Sequence, residues 1–181
     1  MPELPDKLAS RLKKKYNIND EDISFLISDK NIASFYEDTL KYIDEPALVL
    51  NWIRVNVMMV INRDKINIID FIVTPKRLSE LLDLLNQGKI TKENANRIFE
   101  VMISDNRSAS KIMIESNLEI STNEDELYDI INEIIHKFPN ELERLHNGEE
   151  KLIKFFMGQI MRETKGKYPA DLIIRELKKI K

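Results

Sequence analysis

Residues 47–62 read ALVLNWIRVNVMMVIN, and whether this run is helix or strand decides the fold. Apolar side chains occupy nearly every side of it, the pattern of an element enclosed by its neighbours. A buried strand is also continuously apolar, but such strands stop after roughly four to eight residues. This run is longer, so a helix is expected. Pro46 suits its first turn, where no amide donor is needed. Asn51, Arg54 and Asn56 interrupt the apolar surface and need partners or a wet edge, while Trp52 is expected in the core.

Helix signals continue on both sides. Pro5-Asp6 opens a first helix with Leu8 and Leu12 on one face and Lys13, Lys14 and Lys15 fanning outward. Asn19 can cap a second helix ahead of Asp20 and Glu21, and a third is expected over 29–42. After the central run, residues 62–73 (NRDKINIIDFIV) are rich in Asn, Asp and β-branched residues and read as loop or extended backbone. Thr74-Pro75 starts a helix that Gly88 is placed to end, and Thr91 with Asn94 resembles a weakened capping box for the next. Ser108 or Ser110 can cap a short helix containing Ile112 and Met113. The polar stretch 119–123 marks a domain boundary or hinge. Beyond it, Leu127, Ile130, Ile131, Ile134, Ile135 and Phe138 define an amphipathic helix, and Pro139 ends it or starts a short successor. Two more helices follow, after Asn147-Gly148 and after Pro169. The expected architecture is therefore all-α: a helical domain over 1–118, then a small domain of three or four helices over 119–181.

Composition narrows the chemistry. The 181 residues include 4 glycines, 6 prolines and no cysteine, with 43% hydrophobic residues. That is enough for a real core, and disulfides, thiolate nucleophiles and Cys-ligated metals are excluded. No apolar run approaches the roughly 20 residues that span a bilayer, and no leader pattern stands at the N-terminus. A reducing cytoplasm or organelle matrix is the expected compartment. Phosphate-binding and dinucleotide-binding glycine motifs do not occur. His136 and His146, the only histidines, read as surface or helix-end residues. Glu124, Asp125 and Glu126 form a trio that can draw a metal, but a helix N-terminus with favourable charge explains them better. No catalytic residues and no metal site are assigned.

The most informative segment is 154–171, KFFMGQIMRETKGKYPAD. Gly158 inside an amphipathic helix costs about 1 kcal/mol relative to alanine, which a close helix–helix approach would make tolerable. Thr164, Lys165, Gly166 and Lys167 end that helix in a basic turn. Residues 151–181 hold nine Lys or Arg against three acids, a local +6 in a chain of net charge −3. Such asymmetry fits a phosphate-facing surface, or a solvated basic face balancing an acidic body.

This segment resembles the C-terminal signature of the B subunit of the aspartyl/glutamyl-tRNA amidotransferases (GatB), G-x-L-V-G-Q-V-M-K-x-T-K-G-K-A-N-P. Gly158, Gln159, Met161, Thr164, Lys165, Gly166 and Lys167 match it, and Ile160 and Arg162 are close substitutes. Leu4-Pro5 is similar to that family's L-P-E-L-P hinge, Asn51-Trp52-Ile53 to its N-W-I, Gly88-Lys89-Ile90 to its G-K-I-S turn and residues 117–121 to its G-L-x-Q-I-S linker. The matches keep their order over nearly the whole chain. Departures are Tyr168-Pro169 in place of Ala-Asn, Asn117 where glycine is usual, and Thr122-Asn123 at the acidic start of the linker.

The resemblance implies a helical domain followed by a YqeY-like tail that contacts the elbow and D-loop region of tRNA, within a protein that activates the misacylated Glu or Asp group with ATP and Mg. The catalytic half has no counterpart here, so Met1 reads as the start of an excised piece, itself without enzyme activity. Implied partners are tRNA and, through the full protein, the amidotransferase A and C subunits, with no membrane. Candidate phosphate contacts are Lys154, Arg162, Lys165 and Lys167, with Lys13, Lys14 and Lys15 as a second set. Gln159 can read a base edge or sugar, although helix packing is its favoured role. Phe155, Phe156 and Tyr168 can stack on bases, with core packing favoured for the two phenylalanines. Rival readings are a helical module that docks protein subunits and the tail of the related archaeal E subunit.

Overall fold

The computed structural model describes residues 4–180. Met1, expected to begin an excised piece, and Lys181, one of the nine C-terminal cations, lie outside the described residues. The fold is all-α, and no strand occurs among the described residues. No described helix is long and apolar enough to cross a membrane.

In chain order, α1 is Pro5–Tyr16, α2 Asp20–Ile27, α3 Lys30–Thr39, α4 Pro46–Trp52 and α5 Met58–Asp64; α6 is Pro75–Asn86, α7 Lys92–Ser104 and α8 Ala109–Glu115. The last four are α9 Glu124–Lys137, α10 Pro139–His146, α11 Lys151–Glu163 and α12 Ala170–Ile180. Two compact units emerge, one of residues 1–84 with 99–110 and the other of 85–98 with 111–181. The division falls inside α6, α7 and α8, and residues 119–123 lie wholly within the second unit.

The deciding run is helical, as its length requires, but not regularly so. Between α4 and α5 the backbone widens into a π-helical turn, Ile53–Val57, so the three pieces form one continuous rod. The wider turn adjusts the facing of the two halves, letting Val49, Leu50 and Trp52 before it, Ile53 and Val57 within it, and Val60 and Ile61 after it be buried. Full enclosure does not result: Val55 and Met59 stay exposed. Arg54 resolves its polarity by pairing with Glu21 and, at 2.8 Å, with Asp22 on α2. Trp52 is buried and meets Phe99 edge to face, centroids 6.0 Å apart, and Phe71 packs between Phe99 and Phe35.

Two boundaries differ from the sequence reading. The third helix stops at Thr39, and the central rod continues through Asn62, Arg63 and Asp64 before Lys65 turns it off in a left-handed conformation (φ 53°). Asn, Arg and Asp are tolerable in a last helical turn, and composition gave them too much weight as loop formers. Only 65–74 is irregular, apart from one short 3₁₀ turn, Ile68–Asp70. Arg77 then organises the first unit from inside. Its guanidinium donates to the carbonyls of Met102 in the last turn of α7, Asp105 and Arg107 in the loop that follows, and Ile72 ahead of α6, satisfying main-chain acceptors that no helix or strand ladder pairs.

The core of the second unit joins α9, α10, α11 and α12: Leu127, Ile131 and Ile134 meet Leu145, Phe156, Ile160, Ile173 and Leu177. Asn123 caps α9 by accepting from the Glu126 amide, and Pro139 starts α10.

Candidate nucleic-acid interface

On α11 the apolar face enters the core through Leu152, Phe156 and Ile160. The opposite face carries Lys151, Lys154, Gly158 and Arg162, spaced three or four residues apart and all exposed. At about 100° per residue such spacing stacks side chains along one stripe. Lys165 follows, exposed, in the turn that ends the helix. Among the described residues none of these four cations is ion-paired to a carboxylate, and Glu163 is the only acid between 151 and 167. The carbonyl end of α11 further favours the cations of its last turn.

Gly158 lies mid-stripe. A Cβ built there meets nothing within 4 Å, so the close helix–helix approach expected from the sequence is not what accommodates this glycine within the molecule.

Lys167 differs from the other cations. Its ammonium donates to Glu126 at 2.8 Å and sits 5.7 Å from the Tyr168 ring centroid, and the side chain is only 23% exposed. Glu126 is thereby held below the usual carboxylate range, first by this hydrogen bond, and Lys167 is raised for the same reason. Such a pair stabilises the fold fully above the ordinary glutamate value, and the benefit is lost as pH falls through the lowered one. On the alkaline side it is complete below the ordinary lysine value and lost as pH rises through the raised one. The ring of Tyr168 is fully buried, as is that of Phe156, so neither is available to stack on a base. Phe155 is half-buried in edge-to-face contact with Phe138 and Phe156. Gln159 is half-buried beside the stripe.

The basic turn is fixed largely through its backbone. The carbonyl of Lys165 accepts from Arg97 at 2.9 Å, that of Gly166 from the Asn94 amide at 3.2 Å and that of Lys167 from the Ser121 N–H at 2.8 Å. Asn94, fully buried, also donates to the Leu118 carbonyl at 2.8 Å, and Ile120 donates its N–H to the Lys89 carbonyl. Gly166 has φ +74°, and a Cβ there would come within 3.3 Å of the Asn94 Oδ1. The T-K-G-K sequence is thus a docking turn for 89–97 and 118–121, with the Lys165 side chain left outside.

The second basic set, on α1, is dispersed. Lys13 pairs with Asp20, and Lys15 lies over the Tyr16 ring at 4.7 Å, while Lys14 is exposed. Three consecutive helical residues face three directions. Sequence reasoning did not choose Lys151, although its spacing to Lys154 and Gly158 was the signal. His136 and His146 are exposed at helix ends, contacting the carbonyls of Asn132 and Ile180. In the acidic first turn of α9, Glu124 pairs with Arg175 and Glu126 with Lys167.

Residues 34–180 match the sequence profile of the GatB domain. A Thermodesulfovibrio yellowstonii protein, named as the B subunit of an aspartyl/glutamyl-tRNA(Asn/Gln) amidotransferase, is 36% identical over 173 residues, which are 96% of this chain and 36% of the relative. Proteins of the same name from Persephonella marina and Borrelia hermsii are 31% identical over 181 residues and 32% over 184, in each case 99% of this chain and 38% of the relative. The chain spans little more than a third of the length of these relatives.

Proposed function

The chain belongs to the GatB domain family, and on that premise we propose that it is the tRNA-facing, C-terminal helical part of an amidotransferase B subunit working in the cytoplasm. In this reading it holds tRNA by shape and phosphate contacts while chemistry proceeds in the part of the longer protein that this chain does not match. The carrying observation is the stripe of exposed cations Lys151, Lys154 and Arg162 on α11, continued by Lys165 in the turn after it, none of them ion-paired among the described residues. Exposed ammonium and guanidinium groups release condensed counterions when they meet phosphates, and RNA helices are recognised mainly through backbone and shape. The ATP and magnesium implied for the whole protein are assigned no place here. The acidic turn of α9 does not fit a magnesium site, because Glu124 and Glu126 are already engaged by Arg175 and Lys167.

The test is a titration of the 181-residue chain with a folded tRNA transcript at several salt concentrations. Binding is expected to be weak and to fall with added salt, with a logarithmic slope of about −2 or steeper. No binding at about 50 mM salt, or binding indifferent to salt, removes the reading. The Lys167–Glu126 pair supplies a further prediction. Glu126→Gln removes a carboxylate next to the turn and loosens the Lys167 ammonium, so tRNA affinity rises about two- to threefold while the thermal midpoint falls slightly. Fluorescence anisotropy and a melting curve check the two halves.

A second reading, docking of other amidotransferase subunits, is supported by Ile66, Ile69 and Ile72, exposed around the 3₁₀ turn of the first unit. Tight capture of purified A and C subunits with no tRNA affinity would favour it.

A further inference from the structure

We propose that Gly158 is the point of closest approach on α11, where the sugar–phosphate backbone of a bound RNA comes against the helix main chain. This inference rests on the RNA-binding reading of the stripe and adds a positioning residue that carries no charge.

Three observations lead to it. Gly158 lies inside a 13-residue helix, Lys151–Glu163, where glycine is about 1 kcal/mol worse than alanine. Nothing inside the molecule needs the missing side chain: its φ is not in the left-handed region, and an added Cβ faces open space. Its neighbours one turn away along the stripe are Lys154 and Arg162, both exposed and with no carboxylate partner among the described residues, so the bare patch is flanked by groups suited to phosphate. Long side chains on either side with none between form a shallow saddle. A ribose or phosphate can settle there against the helix surface while the two cations reach neighbouring phosphates. Glycine at points of close backbone approach is a general device.

The experiment pairs stability with binding, using the 181-residue chain and a folded tRNA transcript as the probe. Gly158→Ala is expected to raise the thermal midpoint, because alanine is the better helix former and has room. The same variant is expected to bind the transcript about fivefold more weakly, and Gly158→Leu more weakly still, by about twentyfold. The slope of affinity against salt is expected to stay at its wild-type value for both variants, since no cation is removed. Opposite signs for stability and affinity, at constant salt slope, support the saddle. Wild-type affinity in Gly158→Ala and Gly158→Leu overturns it while leaving the cationic stripe in place. If the wild-type chain itself fails to bind, the underlying RNA reading falls, and this inference with it.

Discussion

Lys154, Arg162 and Lys165 replaced together by glutamine are expected to lower affinity for a tRNA transcript on the order of 30-fold near 0.1 M salt, and to make the salt slope shallower by about two to three. Glutamine keeps much of the length and the helix propensity of these side chains, and all three are exposed with no carboxylate partner to orphan, so stability should change little. Lys13→Gln with Lys15→Gln on α1 is the control. One of those lysines is paired with Asp20 and the other lies over a tyrosine ring, so a smaller effect is expected there. A triple variant that binds like wild type, with an unchanged slope, would take RNA contact away from α11.

Gly166→Ala is expected to destabilise the fold by about 2–3 kcal/mol. Part of this is conformational. At φ +74° an L-residue with a Cβ costs roughly 1–2 kcal/mol. The remainder is steric: the new methyl comes to 3.3 Å from Asn94 Oδ1, and Asn94 cannot easily retreat because its amide nitrogen is fixed between the carbonyls of Leu118 and Gly166. Alanine also stiffens the unfolded chain, which offsets a few tenths of a kcal/mol. Chemical denaturation monitored by circular dichroism measures the sum. A loss below about 0.5 kcal/mol would mean that the turn can relax away from α7. Gly158→Ala provides the internal contrast, since the same substitution eight positions earlier, within α11, is expected to stabilise.

The helical character of the chain was legible because periodicity, proline placement and capping residues agree. Asn19 and Thr91 each accept the amide hydrogen bond that their positions suggested, and Asn123 caps α9 without having been singled out. Two kinds of information were not legible. The π-helical turn at Ile53–Val57 arises from how the rod must face its neighbours on either side, a tertiary demand that no local pattern announces. The fate of each lysine was equally hidden: Lys165 and Lys167 are two residues apart, yet one is exposed and the other holds Glu126, which is 41 positions away. Tyr168 reads as a stacking residue in a basic turn but is buried among α9, α11 and α12. The sequence places Gly158 inside a helix and Gly166 in the turn that ends it, but not the surroundings of each: open space around Gly158, and Asn94 Oδ1 at 3.3 Å from a Cβ built on Gly166.

Three successive carbonyls of the basic turn are claimed by Arg97, Asn94 and Ser121, which changes what possession of T-K-G-K signifies. Selection acting on architecture alone would preserve such a turn, so homologous proteins can share it without sharing a ligand. The discriminating positions are those equivalent to Lys151, Lys154 and Arg162, whose side chains are exposed and have no ion pair among the described residues. On the proposed reading, a descendant that kept the turn but lost those three charges is expected to fold in the same way and to hold tRNA more weakly, with Lys165 alone left of the exposed set. Inventories of these proteins that sort by the turn are sorting by shape.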